Sequence, residues 1–269
     1  MITSAQNPLI KEILRLRLDK RAREESGLFV VEGIQGVVEA VESGAAINVI
    51  VYAPDLLTSE LALDAVRAAE GRGVRCEAVS ASLFETLSER DNPVGLLALV
   101  ERRLLALDTL HPEPSGLYLA LHGVSDPGNL GTIIRTMDAV GGTAIFLVGQ
   151  TVDPFHPSAV KASASTIFSM PLVPVPQVET LLDWCRGAGV AVVGTSDRAE
   201  QEYWAASYPQ AVLVLMGSEA HGLPHDLLDA LPRTVSIPMH GTADSLNLGI
   251  ATALLLYEVR RQWRALPTR

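Results

Sequence analysis

Short runs rich in β-branched and other apolar residues alternate with helix-like stretches along nearly the whole chain, and the alternation runs through two successive series. The first series reads LFVVEG, IQGVVEAVESG, INVIVYA, LTSELALDAVRAAEG, VRCEAV, SASLFETLSE and GLLALVE. The second reads GLYLALHGV, a helical stretch from about Leu130 to Val140, TAIFLVG, PSAVKASAST, VPVP, QVETLLDWCRGAG, VAVVGT, AVLVLMG, VSIPM and a terminal helix to about Leu266. Strands separated by helices are joined by crossovers, which place helices on the faces of a parallel or mixed sheet. The fold class is therefore α/β. HPEP supplies two prolines between the series, and a boundary there gives domains over 1–103 and 115–269 with a linker over 104–114. A further amphipathic helix is expected from Asn7 to about Glu25, with Leu9, Ile10, Ile13, Leu14 and Leu16 on its apolar side.

Charge limits the classes of partner. The 269 residues carry 21 Lys and Arg against 31 Asp and Glu, a net charge of −10. Bulk affinity for polyanions comes from clustered cations, so a general polyanion binder is disfavoured. The cations are unevenly placed, however. Residues 1–23 hold Lys11, Arg15, Arg17, Lys20, Arg21 and Arg23 against Glu12 and Asp19, which makes this helix either a solvated face or an anion-binding surface. A second group, Arg260, Arg261, Arg264 and Arg269, closes the chain. Longest apolar runs such as Ala211 to Met216 and Ala251 to Tyr257 fall well short of the roughly 20 residues of a membrane helix. MITSAQNPLIKEILRLR has no secretory pattern, and Cys76 and Cys185 lie far apart without CxxC spacing. The expectation is a cytoplasmic protein without disulfide framework or metal.

Ligands of open α/β sheets bind beyond the carboxyl ends of the strands. Three loops there are rich in Gly, Asn, Ser and Asp: Ser125 to Gly131, Gly217 to Leu223 and His240 to Asn247. Gly123, Gly128 and Gly131 do not have G-x-G-x-x-G spacing, and no P-loop, G-x-S-x-G elbow or HExxH is present. His221 and His225 are four apart but separated by Pro224, which reads as a turn and helix start. Asn129 suits a helix N-cap, Ser245 a cap of the final helix, and Glu219 either a helix start or a site. Arg135, among Ile133, Ile134 and Met137, needs an anionic partner if buried: a salt-bridging carboxylate or a ligand.

DPGNLGTIIRTMDAVG, LVLMGSEAHGLP and IPMHGTADSLNLGIATALLLYE, in this order and at these separations, resemble the three motifs of the SpoU (TrmH-type) RNA ribose 2′-O-methyltransferases of the SPOUT superfamily. NPLIKEILRL followed by FVVEG is similar to the L30e-like substrate-binding domain often fused to them. The resemblance implies a C-terminal SPOUT-type α/β domain with a deep trefoil knot, preceded by a smaller L30e-like α/β domain. It implies S-adenosylmethionine as cofactor, with Thr195, Gly217, Ile237, Met239 and Leu246 around it. Asn129, Arg135, Glu219, Ser245 and Asn247 become the catalytic set, and Arg15, Arg17, Lys20, Arg21 and Arg23 an RNA-binding set, with Lys161 a further RNA contact. Ala164 and Ser165 depart from the pattern, standing where a small residue and a glycine are common. A homodimer through the final helix, with Ile250, Leu254, Tyr257 and Trp263, is also implied. The expected reaction is methylation of a ribose 2′-hydroxyl in ribosomal RNA of the 23S type. A transfer-RNA 2′-O-methyltransferase and a non-catalytic RNA-binding factor are the alternatives.

Overall fold

The computed structural model describes residues 1–265; Leu266 and Arg269, assigned above to the terminal helix and its basic cluster, lie outside the described residues. Contacts divide the chain into two compact units. One comprises Met1–Arg103 together with Asp153–Phe168, and the other Leu104–Val152 together with the chain from Ser169 onward.

In the first unit, α1 (Pro8–Leu18) and α2 (Lys20–Ser26) replace the single helix expected over 7–25. Asp19 makes the break: its extended backbone stops α1, and its carboxylate caps α2 by accepting from the Arg21 N–H at 2.8 Å. There follow β1 (Leu28–Glu32), α3 (Ile34–Glu42), β2 (Ile47–Tyr52), α4 (Glu60–Gly71), β3 (Arg75–Ala78), α5 (Ala81–Leu87) and β4 (Leu96–Glu101). The sheet order is β1-β4-β2-β3, antiparallel on both sides of β4 and parallel between β2 and β3. Ile10, Ile13 and Leu16 of α1 are buried in one core with Val49, Val51, Leu97 and Leu99.

The second unit contains β5 (Leu117–His122), α6 (Pro127–Ala139) and β6 (Ala144–Val148). The chain then enters the first unit, where α7 (Pro157–Ala162) lies. This helix is shorter than PSAVKASAST suggests because Ala164 and Ser165 take φ of +46° and +74°. That conformation favours glycine. The second unit resumes with β7 (Leu172–Val175), α8 (Val178–Ala188), β8 (Ala191–Thr195), β9 (Val212–Met216), α9 (His225–Ala230), β10 (Thr234–Val235) and α10 (Leu248–Ala265). The six strands are all parallel in the order β10-β8-β9-β5-β6-β7. From β5 the chain proceeds to β6, whereas from β9 it proceeds toward β10 on the other side. The carboxyl ends of β5 and β9 thus flank a topological switch point, where diverging loops open a crevice.

Candidate active site

The loop after β5 leads into α6 through Asp126 and Pro127. Asp126 is the N-cap, accepting from the Asn129 N–H at 2.6 Å, and Pro127 occupies the first turn, where no N–H is needed. Asn129 is therefore inside the helix, not its cap, and its side chain is available for other work. The loop after β9 folds back on itself. Ser218 N–H donates to the Gly222 carbonyl at 3.2 Å, and Gly222 N–H, at φ +66°, donates to the Ser218 carbonyl at 2.9 Å. Gly217 is required here for close approach: a Cβ would lie 2.0 Å from the Gly222 carbonyl carbon.

This turn carries Glu219 onto the start of α6. Its carboxylate accepts from the N–H and hydroxyl of Ser125, both at 3.2 Å, from the Asp126 N–H at 3.3 Å and from Asn129 Nδ2 at 3.1 Å. Burial pushes the Glu219 carboxyl up, but the bonds from Asn129, its own amide, Ser125 and Asp126 together outweigh it and hold the group below its ordinary value. Such a carboxylate contributes stability above the ordinary glutamate value of 4.5 and loses it as pH falls through the lowered folded value. Glu219→Gln is thus expected to lower thermal stability at pH 7, with the difference from the wild type shrinking as pH falls below 4.5 through the lowered folded value, as read by melting curves across that range.

Asn129 in turn accepts at Oδ1 from Asn247 Nδ2 at 2.8 Å, and Asn247 Oδ1 accepts from the N–H groups of Gly249 at 2.9 Å and Ile250 at 3.3 Å. A carboxylate can only accept, and a helix N-terminus can only donate. Both amides are therefore oriented from their two ends, and one directional chain links Glu219, Asn129 and Asn247. All three sequence loops meet in it. Asn247 is the cap of α10, a role expected from the sequence for Ser245, whose exposed side chain makes no hydrogen bond to other described residues.

Arg135 lies nearly two turns beyond Asn129 on α6, exposed and without a hydrogen bond or ion pair among the described residues. Ile133, Ile134 and Met137 are fully buried, but the 3.6-residue period turns them away from Arg135. The cost of burial inferred from its neighbours does not arise, and its guanidinium remains available to an anion. Thr195 Oγ1 donates to the Leu215 carbonyl at 3.1 Å, fastening the end of β8 to β9. From Ile237 to Leu246 the chain makes no hydrogen bond to other described residues, and Met239 and Leu246 are 36% and 37% exposed. Partly exposed apolar side chains beside unpaired backbone groups form a surface suited to an apolar ligand with a hydrogen-bonding edge.

Most cations of residues 1–23 are already engaged by carboxylates. Arg23 is 2% exposed and Arg17 6%, so neither reaches a nucleic acid. Arg23 Nε pairs with Asp153 at 2.6 Å, and Arg17 pairs with Glu32 at 2.6 Å. Arg15 and Arg21 share Glu25, and Lys20 faces Glu24, which largely neutralises the exposed face. Six cations have neither an ion pair nor a side-chain hydrogen bond among the described residues, namely Lys11, Arg103, Arg135, Lys161, Arg198 and Arg264, while Arg72, Arg233 and Arg260 bond backbone carbonyls only. Ser125, which grips Glu219 twice, and Asp153, which is buried in the loop before α7, stand outside the site residues expected from the sequence. The D-P pair at a helix start is a legible capping signal, whereas nothing local marks Asp153.

Residues 116–257 match the SpoU rRNA Methylase family, and residues 7–98 match an MRM3-like substrate binding domain. The chain belongs to the SpoU rRNA methylase family. A 23S rRNA (uridine(2479)-2′-O)-methyltransferase of Streptomyces viridochromogenes is 30% identical over 96% of this chain and 91% of its own length. The 23S rRNA (guanosine(2553)-2′-O)-methyltransferase RlmP of Bacillus subtilis is 28% identical over 96% of this chain and 98% of its own. Among solved structures, the AdoMet-bound rRNA methyltransferase of Sinorhizobium meliloti superposes with a TM-score of 0.87 at 38% identity, covering 97% of both chains. Within this SpoU family member, the three loops are the matched family's territory. Among the described residues no cluster of His, Cys, Asp and Glu could hold a metal ion, and no helix is long and apolar enough to cross a membrane.

Proposed function

We propose that this SpoU family member is an S-adenosylmethionine-dependent RNA methyltransferase that methylates a ribose 2′-hydroxyl in ribosomal RNA in the cytoplasm. The observation that carries the reading is the Glu219–Asn129–Asn247 chain on α6, whose exposed face offers an unpartnered Arg135. The residues present fit the cofactor. The unpaired backbone of Ile237 and Leu246 would hold adenine's hydrogen-bonding edge, with Met239 and Leu246 as apolar walls and the Gly217 turn close by. Bound there, S-adenosylmethionine supplies an electrophilic sulfonium methyl to the ribose oxygen.

This chain's own residues position and polarise. Guanidinium groups keep their proton in proteins, so Arg135 serves as a bidentate donor to the neighbouring phosphate and to the 2′-oxygen as negative charge builds on it. The lone pairs of Glu219 are engaged by four donors, which makes it the anchor of Asn129 and not a proton acceptor. Ser245, with an unengaged hydroxyl beside Asn247, orients the ribose.

In the same reading, residues 1–103 form the RNA-substrate-binding domain, 104–114 the linker and 115–269 the catalytic domain. The deep trefoil knot belongs to it, supported by the path of the chain: β10 is added at one edge of the sheet, and α10 then starts back at Asn129 on α6. So does a homodimer through α10. Its Ile250, Leu254 and Tyr257 recur at helical spacing and are 55%, 37% and 56% exposed, an apolar stripe that a second copy would cover.

Labelled cofactor incubated with total RNA tests the proposal. Methyl is expected on a ribose of ribosomal RNA, and Arg135→Lys is expected to slow transfer by about 100-fold or more, with cofactor affinity unchanged. Transfer to transfer RNA alone would move the substrate, and RNA binding with no transfer would make the protein a binding factor.

A further inference from the structure

The interval between β8 and β9, 196–211, presents two adjacent aromatic side chains that the site described above does not use. Trp204 is 46% exposed, the most exposed aromatic of the second unit apart from Tyr257, and its ring lies 4.9 Å from that of the half-buried Tyr203. A large apolar side chain in a polar loop is ordinarily mobile or covered, yet this one is braced. Tyr203 N–H donates to the Ser236 carbonyl at 2.8 Å, and Ser236 N–H donates to the Gln201 carbonyl at 2.9 Å. Tyr208 Oη donates to the Tyr203 carbonyl at 2.7 Å, while Gln262 Nε2 and Trp263 Nε1 of α10 hold the carbonyls of Ala206 and Tyr208 at 2.7 and 3.1 Å. Trp204 is thus an exposed ring on a rigid mount.

Two features define what this ring can bind. Its one polar atom, Nε1, already donates to Glu202 at 2.7 Å, which leaves only its π surface for a ligand. Its loop also carries Asp197, Glu200 and Glu202 around one unpaired cation, Arg198. Desolvated centres of protein interfaces are depleted of such charges, and a groove that follows phosphates would not be lined with carboxylates. A planar, uncharged base laid on the ring, its backbone directed outward, avoids both penalties. The position is also informative, because Ser236, to which the loop is bonded, leads directly into Ile237 and the segment that ends at Asn247.

We infer that Trp204, backed by Tyr203, is a stacking platform for an unpaired RNA base next to the nucleotide being modified. The inference rests on the proposed reading that RNA is the substrate. Single-stranded RNA is recognised by bases splayed onto aromatic rings, and a ribose in a helix must be freed from its neighbours before a methyl donor can approach it. Stacking tolerates any base, so Trp204 adds affinity for an unpaired site without fixing its sequence.

The test compares wild type, Trp204→Ala and Trp204→Phe in methyl transfer to ribosomal RNA, in binding of a single-stranded oligoadenylate and its duplex, and in cofactor binding. Trp204→Ala is expected to raise KM and the oligoadenylate Kd about tenfold, with kcat, cofactor affinity and duplex binding little changed, and Trp204→Phe is expected to restore most of the loss. An unchanged KM and oligoadenylate Kd in Trp204→Ala would overturn the inference. So would lost cofactor affinity, which would place adenine of the cofactor on the ring, or dissociation into monomers, which would make it a protein contact. Failure of the parent reading looks different: the wild type itself would transfer no methyl, while weakened oligoadenylate binding in Trp204→Ala would still uphold the stacking surface.

Discussion

Arg23→Ala is expected to cost about 3–5 kcal/mol of stability, because it strands a buried carboxylate. Arg23 and Asp153 are 2% and 4% exposed and meet at 2.6 Å, and the same guanidinium donates to the carbonyls of Leu16 at 2.6 Å and Arg17 at 3.2 Å. One side chain therefore satisfies the end of α1 and the first residue of Asp153–Phe168 together. Arg102, 4.0 Å from Asp153 and stacked over Phe155 at 5.0 Å, gives only partial compensation. In a melting experiment the loss corresponds to roughly 10 °C for a chain of this size. Replacing both partners, as Arg23→Met with Asp153→Leu, should cost much less, since apolar substitution of a complete buried pair is often neutral. Equal losses in the single and double variants would show that the carbonyl bonds, not the charge pair, hold the segment.

Gly217→Ala is expected to reduce methyl transfer by more than about 100-fold, the scale on which a displacement of about 1 Å acts at a reacting centre. The added carbon would meet Gly222 C at 2.0 Å and Leu223 N at 2.3 Å, both backbone atoms that no rotamer change can move aside. The turn must open, and Glu219 then leaves Ser125, Asp126 and Asn129. Gly222→Ala is the control within the same turn. Its φ of +66° makes a side chain unfavourable by about 1–2 kcal/mol, but no atom lies within 4 Å of the added carbon. It should therefore lower stability modestly and preserve most activity. Comparable inactivation by both would mean that general loosening of the turn, not the displacement of Glu219, is responsible.

These expectations rest on features of unequal visibility in the amino-acid sequence. The α/β class was legible because alternating strand and helix patterns are local, whereas the strand orders and the antiparallel pairing of β4 were not, because they depend on which distant strands meet. The three site loops were legible as Gly- and Asn-rich interruptions after strands, and their meeting at one place agrees with the rule for parallel sheets. Individual roles within them were not. Asn129 and Ser245 both read as caps, yet Asp126 and Asn247 cap the helices, because a cap is settled by which residue leaves helical geometry and several neighbours had suitable side chains. Arg135 read as a buried charge because three apolar residues surround it in sequence, although the helical period directs them to the opposite side.

The basic character of residues 1–23 shows the same limit most clearly. Sequence alone determined that the cations cluster there, and that the chain as a whole is too acidic to bind polyanions indiscriminately. Only the tertiary structure decided that Arg17 and Arg23 are internal struts, that Arg15, Lys20 and Arg21 face glutamates, and that Arg135 is exposed and unpaired among the described residues. The physical reason is that charge is a property of a residue, whereas the availability of that charge depends on burial and on partners. Asp153, the partner of Arg23, lies 130 positions away along the chain, and no local pattern could have joined them.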